Sequence, residues 1–491
     1  MKRTLYLLHR WLGVVLCLFM AMWFFSGVVM MYVGYPKLTQ AERLAALPAL
    51  DGGRCCASLQ QWLRAAGHNG APTALRLTSV AGRPLALLNY GKADVVALDG
   101  ASGRRVDSVD AAAALAAARA FMPGVPAAYQ DLVAEDAFSH SRNLDGQRPL
   151  HRVQMGDAES TRLYVSARTG EVVRDASVNE RGWNWVGSWL HWLYPLRGGI
   201  VERFWNDIVV YTALAATALS LLGMLVGLWR WRFSGRFRSG SRSPYRAPWM
   251  RWHHLLGLVF GTLVVTFIFS GLMSMNPFKV LDSGAPKVAQ RHDWDAAHFT
   301  LPAGQALQLL ADSGFEVREL EWRVVDGAGY YLAADGQGRT RLLAAGAGPA
   351  LPFKAFGIAA MRALGGAMLA PHQVTQASVL GEYDNYYYGR VAHTMTGGQK
   401  RLPVLRLKFD DPHATWLYID PASGAVVKQV DAHQRVGRWL FSLLHSWDWT
   451  PLLASRPWWD LWMIAISVGG MLISVSGIVI GWRRLRMRMP R

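Results

Sequence analysis

Four uncharged apolar stretches set the terms for this chain: Trp11–Tyr35, Ile208–Trp229, Leu255–Phe278 and Leu461–Trp482. Each reaches the roughly 20 residues that a helix needs to cross a hydrocarbon core about 30 Å thick. Backbone groups in lipid must be satisfied within the segment, which leaves helices as the reading of such runs. The first run is too long for a signal peptide and no small-residue cleavage site follows it. The charges fall between the runs. Lys2, Arg3 and Arg10 precede the first, seven arginines from Arg230 to Arg251 separate the second from the third, and Arg483, Arg484, Arg486, Arg488 and Arg491 follow the fourth. By the positive-inside rule the termini and the central loop are cytoplasmic. The formal net charge of +18 then marks membrane orientation, and nucleic acid is not among the expected partners. Membrane lipid is.

The expected organisation follows: helix 11–35, exported region 36–205, helix 206–230, basic cytoplasmic loop 231–252, helix 253–278, exported region 279–458, helix 459–482 and basic cytoplasmic tail 483–491. Of the 22 tryptophans, Trp11, Trp205, Trp229, Trp252, Trp458 and Trp482 lie near the ends of apolar runs, where amphipathic rings anchor at the lipid–water boundary. The exported regions alternate strand-like and turn-like stretches. Leu163–Val173 and Leu417–Val427 read as hairpins with Gly170 and Gly424 at their turns, and Val95–Val106 as a weaker one around Gly103. Ala111–Phe121 reads as a helix, so these regions are expected to be α+β. The tyrosine-rich run Glu382–Tyr388 reads as an amphipathic strand or a substrate contact. Cys55 and Cys56 are adjacent and open to a vicinal disulfide, and the absence of Cys-x-x-Cys-His argues against covalently attached haem. Phosphate-cradling glycine loops, nucleophile triads and metalloprotease motifs are missing from the sequence, which sets aside hydrolysis and nucleotide chemistry.

An internal repeat ties these parts together. Arg181, Trp185, Ser188, His191, Trp205, Gly223 and Gly227 each recur 254 positions later, as Arg435, Trp439, Ser442, His445, Trp459, Gly477 and Gly481. At an offset of 244, His9, Leu12 and Gly13 map on His253, Leu256 and Gly257, and Phe25-Ser26-Gly27 on Phe269-Ser270-Gly271. Each half is thus helix, exported region, helix. Two halves in the same orientation pack as a four-helix bundle about an axis along the membrane normal.

The repeat also pairs histidines, which are costly in a membrane and functional by default. His9 and His253 fall at the cytoplasmic ends of equivalent helices, and His191 and His445 at the outer face. A two-fold axis sets each pair on opposite sides of one centre. Neutral imidazole is a good axial ligand for haem iron, so a His–porphyrin–His sandwich suits this geometry. Gly13 and Gly257, four residues after the histidines on the same helix face, leave room for a flat macrocycle. Gly223 with Gly227, and Gly477 with Gly481, read as close helix packing. His254 competes with His253 as ligand, and alignment with His9 favours His253. Zinc fits less well, for want of carboxylate or thiolate partners at ligand spacing.

Leu8-His9-Arg10-Trp11-Leu12-Gly13 and Trp252-His253-His254-Leu255-Leu256-Gly257 resemble the helix openings of PepSY-associated transmembrane proteins, and the hairpins at Leu163–Val173 and Leu417–Val427 resemble those of PepSY modules. Ser166-Ala167 departs from the Asp-Pro that the second hairpin keeps at Asp420-Pro421. The resemblance implies a membrane α-helical fold: a four-helix bundle from two tandem repeats with two exported α+β PepSY-like regions, in a bacterial inner membrane. It also implies an oxidoreductase with two b-type haems held by His9 with His253 and by His191 with His445. Such a protein takes electrons from a cytoplasmic or quinol donor and reduces a ferric siderophore or other ferric chelate outside, across roughly 20 Å of a 30 Å core. Arg10 and Arg251 are candidate partners of haem propionates, besides setting topology. Two other readings stay open: a membrane-anchored binding or peptidase-inhibitory module without redox chemistry, and a quinone-linked cytochrome b-like subunit.

Overall fold

The computed structural model describes residues 2–91, 94–197, 199–288, 294–348, 350–390 and 400–486; Arg488 and Arg491 of the basic tail lie outside them. Four long apolar helices dominate: α1 (Lys2–Tyr32), α2 (Trp205–Arg230), α3 (Pro248–Ser274) and α4 (Trp458–Arg486). All four are long and apolar enough to cross a membrane. At 1.5 Å per residue α1 runs about 46 Å, so it begins well before the uncharged stretch and carries His9 inside its third turn. α3 starts with Pro248 at its first turn, where a missing N–H costs nothing, and carries His253 and His254 in its second. In the bundle α1 packs against α4 and α2, and α3 against α2 and α4. Glycines permit the closest of these approaches. A Cβ on Gly470 of α4 would stand 2.4 Å from the ring of Phe24, and one on Gly469 2.4 Å from that of Phe260.

Each region between the long helices contributes a four-stranded antiparallel sheet of its own. The first is β4 (Ala127–Val133), β5 (Leu150–Met155), β6 (Arg162–Ser166) and β7 (Val172–Ala176); the second is β11 (Val374–Leu380), β12 (Val404–Phe409), β13 (Trp416–Asp420) and β14 (Ala425–Val430). The hairpins β6–β7 and β13–β14 turn at Gly170 and Gly424, whose φ angles of +76° and +67° suit a residue without Cβ. Gly103 also turns with positive φ, but only one bridge, Leu98 to Arg105, follows it. The helix Ala111–Phe121 forms, capped by Asp110, and lies over β4–β6. Cys55 and Cys56 form a vicinal disulfide. The run Glu382–Tyr388 is not a strand. It follows β11 as irregular chain, with Tyr387 and Tyr388 buried and the Tyr387 ring stacked on Tyr418 at 5.1 Å.

A third sheet joins the two regions. Its six strands run in the order β10 (Thr340–Ala344), β9 (Ala328–Ala334), β8 (Glu319–Val325), β1 (Ala74–Val80), β2 (Arg83–Asn89) and β3 (Val95–Asp99). β1 and β8 meet antiparallel at its centre, Leu77 opposite Leu320. One apolar core lies across the join, where the rings of Trp62 and Trp322 pack edge to face at 5.3 Å among Leu75, Leu77, Leu320 and Tyr331. Burying each such side chain contributes roughly 1.5–3 kcal/mol.

The same join carries a buried ion cluster. Glu319, 2% exposed, accepts from Arg76 of β1 at 2.6 Å and from Arg43 at 2.7 Å, and Arg76 also reaches Glu171 in the β6–β7 turn at 2.7 Å. Burial pushes the Glu319 carboxyl up, but the Arg76 and Arg43 guanidiniums outweigh it and hold the group down to about 2, below its ordinary 4.5. A depressed carboxylate contributes stability above its unfolded value and loses it as pH falls through the folded one. We predict that thermal stability in detergent takes no loss from Glu319 between pH 8 and 5, and that its contribution drains away toward pH 2. Glu319→Ala, which strands the Arg43 guanidinium and leaves Arg76 with Glu171 alone, is expected to cost about 3–5 kcal/mol in denaturant unfolding. A variant as stable as the parent would contradict the cluster's role.

Candidate functional site: two histidine pairs

Lipid offers no hydrogen bonds, so a polar side chain among helices must find its partner within the protein. His9 of α1 does so on α2, with Nδ1 at 3.3 Å from the Leu219 carbonyl. His253 of α3 does so on α4, with Nδ1 at 3.1 Å from the Ile473 carbonyl and 2.9 Å from Ser476 Oγ. The two rings face each other with centroids 6.3 Å apart and planes inclined at 42°.

The other pair is built differently. His191 and His445 are not on the long helices. Each follows a short helix and a π-helical turn: Val178–Asn184 then Trp185–Trp189 in one half, Ala432–Gly437 then Arg438–Leu443 in the other. Two residues after each histidine the chain reverses through a left-handed residue, Leu193 (φ +53°) and Trp447 (φ +49°). The turns pack against α1 and α3 respectively. His191 Nδ1 lies 3.0 Å from Ser26 Oγ of α1, and His445 Nδ1 lies 3.1 Å from Ser270 Oγ and 3.2 Å from the Phe267 carbonyl of α3. Their ring centroids are 6.2 Å apart. The indoles of Trp205 and Trp459 donate to the carbonyls of Trp192 and Ser446, each one residue past the histidine. Trp459 is only 3% exposed, and both indoles brace the histidine turns.

Hydrogen-bond logic fixes the tautomers. Backbone carbonyls only accept, so His9, His253 and His445 donate from Nδ1–H. Ser26 Oγ also reaches the Trp23 carbonyl of its own helix at 3.2 Å, and when it donates there it accepts from His191 Nδ1–H. All four rings therefore turn an unprotonated Nε2 away from these partners, and among the described residues no protein group bonds to it. Holding Nδ1–H in this way orients an imidazole and makes Nε2 a better metal ligand. His254 is in the opposite position. Its Nε2 donates to the Gly227 carbonyl at 2.9 Å and its Nδ1 meets Ser243 Oγ at 2.8 Å. Both nitrogens are taken, and His254 pins the basic loop to α2.

The spacing says what each pair could hold. A ring nitrogen sits roughly 2 Å from a bound metal and roughly 1 Å from its own centroid, so two rings binding one ion from opposite sides have centroids about 6 Å apart. Both pairs have that separation. Among the described residues no cluster of three His, Cys, Asp or Glu forms, so any further ligands to an ion between the rings must come from the bound group itself. Around His9 and His253 there is space for one: a cavity of about 500 Å³ lined by both histidines, Gly13, Cys17, Gly257 and Gly261, with Arg10, Arg483 and Arg484 also on its wall. That volume is ordinary for a cofactor site. Arg251 is not among the lining residues.

The glycines divide by role. A Cβ on Gly257 would meet nothing within 4 Å, and one on Gly13 only ordinary contacts at 3.8 Å, so both open onto the cavity. A Cβ on Gly223 would stand 2.7 Å from His9 Cε1, and one on Gly477 2.6 Å from Cys17 Sγ and 3.5 Å from His253 Cε1. Of these two, which sequence spacing assigned to helix packing, Gly223 makes room for the His9 ring and Gly477 for the Cys17 thiol. Gly27 and Gly271, in the two Phe-Ser-Gly triplets, lie beside the outer rings, where a Cβ would stand 3.6 Å from His191 Cε1 and 3.5 Å from His445 Cε1. In cofactor-free protein, Gly223→Ala is expected to lose about 1–3 kcal/mol by overpacking. Gly257→Ala should hold its stability or gain up to about 1 kcal/mol from helix propensity. Denaturant unfolding checks both, and equal losses would contradict the placement.

Residues 6–396 match the family described as PepSY-associated TM region, a match that takes in His9, His191 and His253 and ends before His445. No curated protein matches the chain.

Proposed function

The chain belongs to the PepSY-associated transmembrane family, and from that premise we propose that it is a di-haem electron-transfer protein, with His9 and His253 holding one haem b and His191 and His445 a second. The observation that carries this reading is the matched geometry of the pairs: centroids 6.3 and 6.2 Å apart, every Nδ1 engaged and every Nε2 left free for a ligand. We read the two halves as tandem copies, which the paired offsets in sequence and the like settings of the histidines support. We read both termini as cytoplasmic, the two α+β regions as exported and the membrane as a bacterial inner one, an orientation that the basic flanks support.

When bound, haem supplies a reversible one-electron iron couple whose potential follows its ligands and their hydrogen bonds. The residues supply the rest. Ser26, Ser270, Ser476 and the carbonyls of Leu219, Phe267 and Ile473 hold the imidazoles in one orientation. Gly13 and Gly257 keep space beside the inner pair. Arg10, Arg483 and Arg484 give that site positive charge suited to carboxylates. Phe24 and Phe267 fill the bundle core beside the outer pair, their centroids 6.2 Å apart, with Phe267 5.8 Å from His445; packing of this kind excludes water. The activity that fits this arrangement is passage of electrons from a cytoplasmic or quinol donor to a ferric siderophore or other ferric chelate outside, for iron acquisition.

An optical spectrum of protein purified in detergent, oxidised and dithionite-reduced, tests the reading. Low-spin b-type bands with about two haems per chain are expected. His9→Ala or His253→Ala should remove one, His191→Ala or His445→Ala the other, and His254→Ala neither. Gly257→Ala should lower haem content although its methyl meets no protein atom. A featureless spectrum from protein made with ample haem would sink the proposal and leave an anchored binding module as the better account.

A further inference from the structure

Beside His445 the second α+β region opens a cleft of about 800 Å³ between the sheet β11–β14 and the end of the bundle. Phe441, whose ring centroid lies 5.5 Å from that of His445, is on its wall. Four cations line it, Arg390, Lys400, Lys428 and Arg438, against one carboxylate, Asp448. That carboxylate is already committed: Oδ1 accepts from Arg390 at 2.9 Å and Oδ2 from the Tyr388 hydroxyl at 3.0 Å. Nearby Asp384 is held by Arg406 at 2.7 Å. Lys400 donates to the Tyr388 carbonyl at 2.8 Å and Lys428 to the Tyr386 carbonyl, which satisfies hydrogen bonds but not charge. Arg438, 8% exposed, donates to the carbonyls of Asn385 and Asp448 and keeps a buried Nη1 without an acceptor.

Positive charge is therefore gathered in an open cleft without its complement. Burial, with Lys400 and Arg438 close by, pushes the Lys428 ammonium down to about 8, and burial lowers Lys400 as well. Clefts lined by one sign of charge concentrate ligands of the other. We propose that this cleft binds a multiply anionic metal chelate displaying carboxylate-type oxygens, one aromatic ring away from His445. The inference deepens the electron-transfer reading and rests on it for the purpose of the site, not for its charge.

Gallium(III) citrate, a redox-inert anionic chelate, is the probe. The full chain, haem-loaded in nanodiscs of neutral lipid, is titrated by calorimetry while absorbance counts haem in the same sample. Binding is expected that weakens at least ten-fold in the Lys400→Gln/Lys428→Gln double variant and falls as salt is raised, with a cationic gallium hydroxamate bound much less well. No binding to the parent protein, or equal binding to the double variant, overturns the proposal. It is overturned too if citrate fails to bind while the double variant shifts the haem bands, which would give these cations to the cofactor's own carboxylates. Citrate binding without haem would instead sink the electron-transfer reading and leave the anion site standing.

Discussion

Four hydrogen bonds, each from an imidazole Nδ1–H to an oxygen on another segment, set the geometry on which the rest depends. They run from α1 to α2, from α3 to α4, and from the two outer turns to α1 and α3. Ring orientation and helix packing are thus a single problem: an imidazole stays in place only while its partner helix does. In water such a bond contributes about 1 kcal/mol net. In a bundle without hydrophobic drive between helices its larger value lies in choosing one register among many. The Phe-Ser-Gly triplets condense the logic into three residues, a hydroxyl that accepts from the ring next to a glycine that leaves space for it.

Charge is treated in two opposite ways outside the bundle. At the central sheet Glu319 and Glu171 answer Arg43 and Arg76 nearly one for one, and the cluster closes the seam between the regions. Around Asp448 the balance fails and cations accumulate. Buried ion clusters of the first kind serve specificity of assembly more than net stability. An unbalanced cluster costs stability and calls for a ligand to complete it.

Much of this was legible in the sequence because it is local or periodic. Long uncharged runs announce helices, and glycine turns such as those at Gly170 and Gly424 announce hairpins. Identical residues at offsets of 254 and 244 matched His191 with His445 and His9 with His253, and the structure brings those same residues face to face. What escaped notice depends on distant parts. Alignment with His9 already favoured His253 over His254, but the task of His254 rests on Gly227 and Ser243, which occupy both its nitrogens. Gly223 looked like a packing glycine because the ring it accommodates comes from the far end of the chain. Trp205 sits where interface tryptophans sit, and only the Trp192 carbonyl it braces reveals a further task. Glu382–Tyr388 alternates like a strand, yet its rings pack against Tyr418, Trp416 and Trp439 and no neighbouring strand pairs with it.

The pairing of β1 with β8 has a consequence for biosynthesis. Leu77 and Leu320 stand opposite each other, but two long helices and most of the first α+β region are made between them. At the usual 5–20 residues per second, the edge of β1 waits on the order of ten to fifty seconds for its neighbour. An unpaired edge with Arg76 on it and no Glu319 yet synthesised is a target for wrong pairing. The nascent first half therefore needs shelter, from a chaperone or from lipid, until the second arrives to close the seam.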